Sequence, residues 1–84
     1  METSKTTSLD HLGIGQSARI AQMDLKPRDA QRLMEMGLTA GTQVTLLRRA
    51  PLRYPIIIQA RGSHLTLRKA VAKAIRIQLL ESVK

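Results

Sequence analysis

The sequence has no cysteine, tryptophan or phenylalanine, and Tyr54 is its one aromatic residue. Without cysteine the chain forms no disulfide, no thiolate zinc site, no iron–sulfur cluster and no thiol nucleophile. No apolar run approaches the roughly 20 residues of a membrane-spanning helix, and the polar start lacks the apolar segment of a secretory signal. We therefore expect a cytosolic protein whose 84 residues form one domain around an aliphatic core.

Acidic residues are also scarce, because 6 Asp and Glu stand against 14 Lys and Arg, which gives a net charge of +8. Such an excess of positive charge indicates an anionic partner: nucleic acid, an acidic protein surface or a membrane surface. Charge that only aids solubility is the simpler explanation. The basic residues are spread along the chain and Tyr54 alone could stack on a base, so nucleic-acid binding is the less favoured alternative.

Catalytic motifs are missing as well. The sequence has no GxxxxGK[ST] phosphate loop, no GxGxxG and no nucleophile elbow. Its acids form no evident pair for general acid–base catalysis. His11 and His64 are far apart and belong to no ligand-spaced cluster, so they are weak metal candidates and more typical of partly exposed surface histidines. We predict no enzyme, no catalytic residue and no cofactor, with Fe2+ or Zn2+ bound weakly or adventitiously at most.

One helix has clear start and stop signals. Pro27 suits the first helical position, and Gly37 suits the left-handed conformation that ends a helix. The segment between them is about ten residues, which is too short to be stable alone, so the helix must dock on the rest of the domain. Three residues at helical spacing are expected to face the core: Ala30, Leu33 and Met34.

Five short strands are predicted from alternating apolar residues, in segments 18–23, 43–49, 56–61, 64–68 and 75–79. Leu47 breaks the alternation as a bulge would, and Gly62-Ser63 is a hairpin signal. Pro51 and Pro55 exclude a central strand between them and indicate a protruding connection. We expect a mainly β domain at 9–84, preceded by a disordered polar tail at 1–8. Its five strands would close into a small barrel, with the helix inserted between the first and second strands.

Four segments together resemble the FeoA family, the ferrous iron transport proteins A. Residues 32–42, RLMEMGLTAGT, with Val44, resemble its RRLxELGLxPGTxV pattern. Residues 50–52 with Pro55-Ile56 resemble its APLGDPI connection. Residues 67–75 resemble its LRxxxAxxI ending, and residues 12–20 its LxxGxxaxI opening. Arg53-Tyr54 is the departure, because the family usually has Gly-Asp there.

The resemblance covers about residues 9–80 and implies an SH3-like β-barrel, a domain also found at the C-terminus of DtxR-type metal-dependent repressors. It implies a cytosolic accessory protein of ferrous iron uptake that binds and regulates the FeoB membrane transporter through its cytosolic GTP-binding region. The protein would then be peripheral to the inner membrane through this partner. The alternatives are a basic barrel that binds nucleic acid and a metal-binding sensor or chaperone.

We predict that the partner binds a groove beside the helix, with the Pro51–Pro55 connection along one side. An apolar centre with a charged rim is typical of small transient interfaces. Leu33 and Leu38 could instead be core residues, and an exposed groove could also support self-association. The predicted contact residues are Leu33, Met36, Leu38, Leu52 and Tyr54 in the centre and Arg32, Arg53 and Arg68 around the rim.

Overall fold

The computed structural model describes residues 6–80 of the chain, and its main feature is one antiparallel sheet of six strands. The strands are β1 (Thr6–Ser8), β2 (Ser17–Met23), β3 (Gln43–Arg49), β4 (Ile56–Ala60), β5 (Ser63–Leu67) and β6 (Ile75–Leu79). Helix α1 (Pro27–Glu35) joins β2 to β3, helix α2 (Lys69–Ala74) joins β5 to β6, and a 3-10 turn (Leu9–His11) follows β1. The strand order β1-β6-β2-β3-β4-β5 makes β1 and β5 the end strands.

The core is aliphatic and is built from alternate residues of the strands. In β4, for example, Ile56, Ile58 and Ala60 are buried, whereas Gln59 is exposed. The 3-10 turn and α2 cover this face with Leu9, Val71 and Ala72. Each large aliphatic side chain buried in this way contributes about 1.5–3 kcal/mol. The mainly β fold predicted from alternation is therefore confirmed.

Residues 6–8 differ from the expectation of a polar tail over 1–8. They form β1, which pairs with β6 through Thr6↔Gln78, Thr7↔Ile77 and Ser8↔Arg76. Residues 1–5 of the expected tail lie outside the described residues. A three-residue strand of TTS is held by backbone pairing and shows no apolar alternation, so no local pattern marks it. With β1 counted, the helix is inserted between the second and third strands of the chain.

The β4–β5 hairpin turn lies one residue earlier than predicted. Its two central residues are Arg61 and Gly62, at φ +51° and +80°, and Ser63 already pairs with Ala60 in the sheet. Two positive φ angles define the type I′ turn that matches the twist of a hairpin. The predicted irregularity in β3 is confirmed, because the β3–β4 register shifts between Leu46 and Arg48.

Helix α1 ends in a Schellman motif. Gly37 has φ +90°, the N–H of Leu38 donates to the carbonyl of Leu33 at 2.9 Å, and the N–H of Gly37 donates to that of Met34 at 2.9 Å. Such a motif commonly brings a hydrophobic residue after the turn against the helix. Leu33 and Leu38 are both buried in the core, at 5% and 0% exposure.

Met34 corrects the predicted apolar stripe of α1. It is 53% exposed, although we expected it to face the core. Leu33 is the only buried residue of α1, and the next residue of a helix points about 100° away from it. The helix therefore rests on the domain along a narrower line than its sequence indicated.

We expect Gly37→Ala to lower the free energy of unfolding by about 1–2 kcal/mol, because an L-residue at this φ is strained. A Cβ at Gly37 would also lie 2.9 Å from Cδ of Arg61, so that side chain would have to move. Gly41→Ala is the matched control for the Arg61 contact. It introduces the same backbone strain, because Gly41 has φ +91°, but a Cβ there would meet no other atom within 4 Å. Urea unfolding followed by circular dichroism measures both. Wild-type stability for Gly37→Ala would contradict the Schellman assignment.

Candidate functional site

A cleft of about 110 Å³ lies between α1, β5 and the start of α2. One wall consists of Asp29, Arg32 and Leu33 of α1 with Met36, the residue that follows the helix, and the other wall consists of Leu65–Arg68 and Val71. Pockets for small molecules are typically about 300–1,000 Å³. The cleft is thus smaller than a typical small-molecule pocket and comparable in size to a single apolar side chain.

The floor of the cleft is apolar and its rim is charged. Leu33, Leu67 and Val71 are almost fully buried, whereas Met36 is 48% exposed. At the rim, Nη2 of Arg68 donates to Oδ2 of Asp29 at 3.4 Å, and the Arg68 side chain is 63% exposed. An ion pair so open to solvent contributes about 0–1 kcal/mol. Arg68 can therefore leave Asp29 and pair with another carboxylate at little cost in free energy.

Half of the predicted contact residues meet in this cleft. Arg32, Leu33, Met36 and Arg68 all line it, although Leu33 forms part of its floor and is buried. Leu38 is wrong as a surface contact, because its exposure is 0% and it packs in the core after the Schellman turn. Leu38 directly follows the glycine that ends the helix, and a leucine there can be either buried or exposed, so its burial could not be predicted from the sequence.

The remaining predicted contacts lie in the β3–β4 connection, which does not line the cleft. This corrects the prediction of a groove bordered by Pro51–Pro55. Leu52 is 87% exposed, whereas Tyr54 is half-buried and packs against the core. The predicted contacts in the connection lie apart from those in the cleft, because different parts of the sheet position the β3–β4 connection and α1. The spacing of these residues in the sequence does not reveal this separation.

Arg53 occupies a backbone position that favours glycine. Its φ is +80°, in the left-handed region that non-glycine residues rarely adopt. Glycine, which the FeoA pattern has at this position, adopts this conformation without strain. In this chain the Arg53 side chain places Nη2 3.6 Å from Oδ1 of Asp10, so the substitution adds a link between the connection and the 3-10 turn.

Arg49 is an anchor that sequence patterns did not reveal. Its Nη2 donates to the backbone carbonyls of Asp10 and Leu12, the latter at 2.8 Å, and its Nη1 lies 3.9 Å from Oδ1 of Asp10. The Asp10 and Arg49 side chains are only 9% and 16% exposed. The contact joins residues 37 and 39 positions apart, and no local motif marks it. Its role is to hold the 3-10 turn on β3.

The two histidines lie on the surface. His11 and His64 are exposed, and Nδ1 of His11 is 2.8 Å from Oγ1 of Thr7. Residues 6–80 contain no group of three or more His, Cys, Asp or Glu side chains that could hold a metal ion. In the same part of the chain, no helix is long and apolar enough to cross a membrane.

The sheet with its inserted helix defines a small SH3-like β domain. A zinc complex of FeoA from Stenotrophomonas maltophilia, described as a prokaryotic SH3 domain protein, matches 84% of this chain and 88% of that one, with a TM-score of 0.71 and 28% identity. The family model of the FeoA domain matches residues 7–79, and the chain therefore belongs to the FeoA family.

Other solved structures share this fold. FeoA from Chlorobium tepidum superposes with a TM-score of 0.87 at 32% identity, over 93% of this chain and 74% of that one. A manganese-dependent transcriptional repressor shares the fold over 94% of this chain and 39% of its own, with a TM-score of 0.84 and 19% identity.

A curated relative from Porphyromonas gingivalis W83 is a fusion of Fe(2+) transport protein A with the Fe(2+) transporter FeoB. It is 30% identical over 74 residues, which are 88% of this chain. The match spans only 9% of the length of the fusion protein. The resemblance therefore concerns the FeoA-like part of that protein.

We expect Arg49→Met to destabilise the domain by about 2–4 kcal/mol, because it leaves two backbone carbonyls without their charged donor and removes one of the two cations beside the buried Asp10 carboxylate. Arg48→Met is the matched control: Arg48 is the neighbouring exposed arginine, and surface substitutions usually change stability by less than about 0.5 kcal/mol. Urea midpoints of both variants measure the difference. Equal midpoints would show that Arg49 is not an anchor.

Proposed function

We propose that this chain is a cytosolic accessory protein of ferrous iron uptake that binds and regulates a FeoB-type membrane transporter. The observation that carries this proposal is the P. gingivalis relative, in which a FeoA-type sequence and FeoB form one protein. A covalent link keeps two modules at high effective concentration, which favours modules that act on each other. The S. maltophilia protein is likewise described as a candidate activating factor of bacterial ferrous iron transport.

The cleft between α1 and β5 is the surface we assign to this contact. Its apolar floor and the half-exposed Met36 offer a place for one apolar side chain of the partner. Arg32 and Arg68 at the rim suit an acidic partner surface, in keeping with the net charge of +8. Buried apolar anchors supply much of the affinity of an interface, whereas rim charges mainly accelerate association.

The proposed role is non-catalytic and needs no resident metal. The FeoA of S. maltophilia was solved with zinc, but the donor set in this chain does not fit a resident site: His11 and His64 are exposed, and no cluster of three donors exists within residues 6–80. Ferrous iron would then be the cargo of the transporter. The accessory protein would act on the transporter through protein contacts alone.

We expect Met36→Gln to weaken binding to the soluble GTP-binding region of the transporter by about tenfold, because an apolar anchor worth about 1.4 kcal/mol is lost. Met34→Gln is the matched control: Met34 is on the same helix and 53% exposed, but does not line the cleft. Isothermal titration calorimetry measures both affinities. Equal losses in the two variants would remove the cleft as the contact.

Leu52→Gln is the second arm of the same experiment. Leu52 is 87% exposed in the β3–β4 connection, so this substitution leaves the core intact. We expect its affinity to stay within about twofold of wild type, because exposed residues outside the contact contribute little. A loss confined to Leu52→Gln would move the contact from the cleft to the connection.

A further inference from the structure

Strand β5 is an end strand of the sheet, and no strand of residues 6–80 pairs with the outer side of its backbone. It pairs with β4 on one side only, from Ile56↔Leu67 to Ala60↔Ser63. Proteins commonly blunt such an edge with lysine, proline or a bulge. The β5 sequence, SHLTL, has none of these, and its pairing with β4 runs without a register shift. The edge is therefore able to accept another strand.

The pairing fixes which backbone groups are open. Ala60 and Ser63 flank the two-residue turn, so they form a hydrogen-bonded pair, and such pairs alternate along an antiparallel ladder. The backbone groups of Leu65 and Leu67 then point to β4, whereas those of His64 and Thr66 point away from it. Within residues 6–80 no strand lies on that outer side of β5.

The open edge borders the cleft. Thr66 lines the cleft together with its neighbours Leu65 and Leu67, and Arg32 of α1 and Met36 at the end of the helix lie on the opposite wall. An extended segment projects alternate side chains to opposite sides. A segment paired with β5 would therefore direct one side chain toward α1, where the cavity of about 110 Å³ has room for a single apolar group.

We propose that an extended segment of the transporter's cytosolic region adds to β5 as a further strand, which rests on the function proposed above. The segment combines apolar and acidic residues. Its backbone pairs with His64 and Thr66, one apolar side chain enters the cleft above Leu33, and its carboxylates meet Arg32 and Arg68. In this mode the backbone bonds supply affinity and the cleft supplies specificity.

Charge favours such a partner over a second copy of the chain. Two copies that met edge to edge would each carry a net charge of +8, and like charges repel. The rim of the cleft carries two arginines against one aspartate, so an acidic segment is attracted to the same place. The acidic segment could also take over Arg68 from its exposed pair with Asp29.

Thr66→Pro tests the proposal. Proline removes the N–H that points away from β4 and is tolerated at an edge where that N–H faces solvent, so the β4–β5 ladder should survive. We expect the affinity for the transporter's soluble GTP-binding region to fall at least about tenfold, since a pairing bond is lost and the ring obstructs the edge. Thr66→Ala is the matched control, because it also loses the Thr66 side chain at the cleft but keeps the backbone N–H, and it should lose much less affinity than Thr66→Pro.

Amide hydrogen exchange of the wild type provides a second readout that does not depend on a proline variant. Overlapping peptides from the transporter's cytosolic segments serve as probes, and the tightest binder is used at saturation. We expect binding to slow exchange at His64 and Thr66, while Leu65 and Leu67 are already slow because they pair with β4. Only strand addition at this edge produces that alternation.

Equal affinity of wild type and Thr66→Pro, or binding without added protection at His64 and Thr66, overturns strand addition and leaves the proposed function intact. If neither the soluble region nor any peptide binds the wild type, the proposed function fails and the strand addition fails with it. Sedimentation of the unliganded protein tests whether a second copy of the chain occupies the edge of β5 instead. A wild-type dimer that Thr66→Pro makes monomeric shows that a second copy occupies the edge, which overturns the proposal.

Discussion

The structure depends on a single aliphatic core made from one face of the sheet. The chain has no disulfide and almost no aromatic residues, so its stability rests on the close packing of Ile, Leu, Val and Ala. Register is critical in such a sheet, because a slip by one residue would turn every inward side chain to solvent. The Arg49 contacts with Asp10 and Leu12 fix the 3-10 turn that covers this core.

The cleft follows from the way α1 is attached. The helix has nine residues, fewer than the roughly 12–15 at which isolated helices become even marginally stable. Only Leu33 anchors it in the core, and the exposed Arg68–Asp29 pair adds little. One side chain cannot fill the space between a helix and a strand, so a gap remains beside β5. A weakly held element is also able to adjust when a partner binds.

The departure from the family pattern at Arg53-Tyr54 has a structural meaning. Arg53 has a positive φ, which glycine adopts more readily than other residues, and its side chain contacts Asp10. Tyr54 packs against the core, although its hydroxyl is buried with no hydrogen-bond partner in the described part of the chain. The connection is thus linked to the 3-10 turn through Arg53 and to the core through Tyr54.

Features that depend only on neighbouring residues can be predicted from the sequence. The start of α1 at Pro27, its end at Gly37 and most strands were predictable, because dihedral preferences and alternation are local. The remaining features depend on contacts between residues that are distant in the sequence. Leu38 is buried in the core and Leu52 is exposed. The residues predicted to line one groove lie in two separate places, the cleft and the β3–β4 connection. Which face of α1 meets β5, and which strand remains at the edge, depend on pairings between distant residues, and local sequence patterns do not encode those pairings.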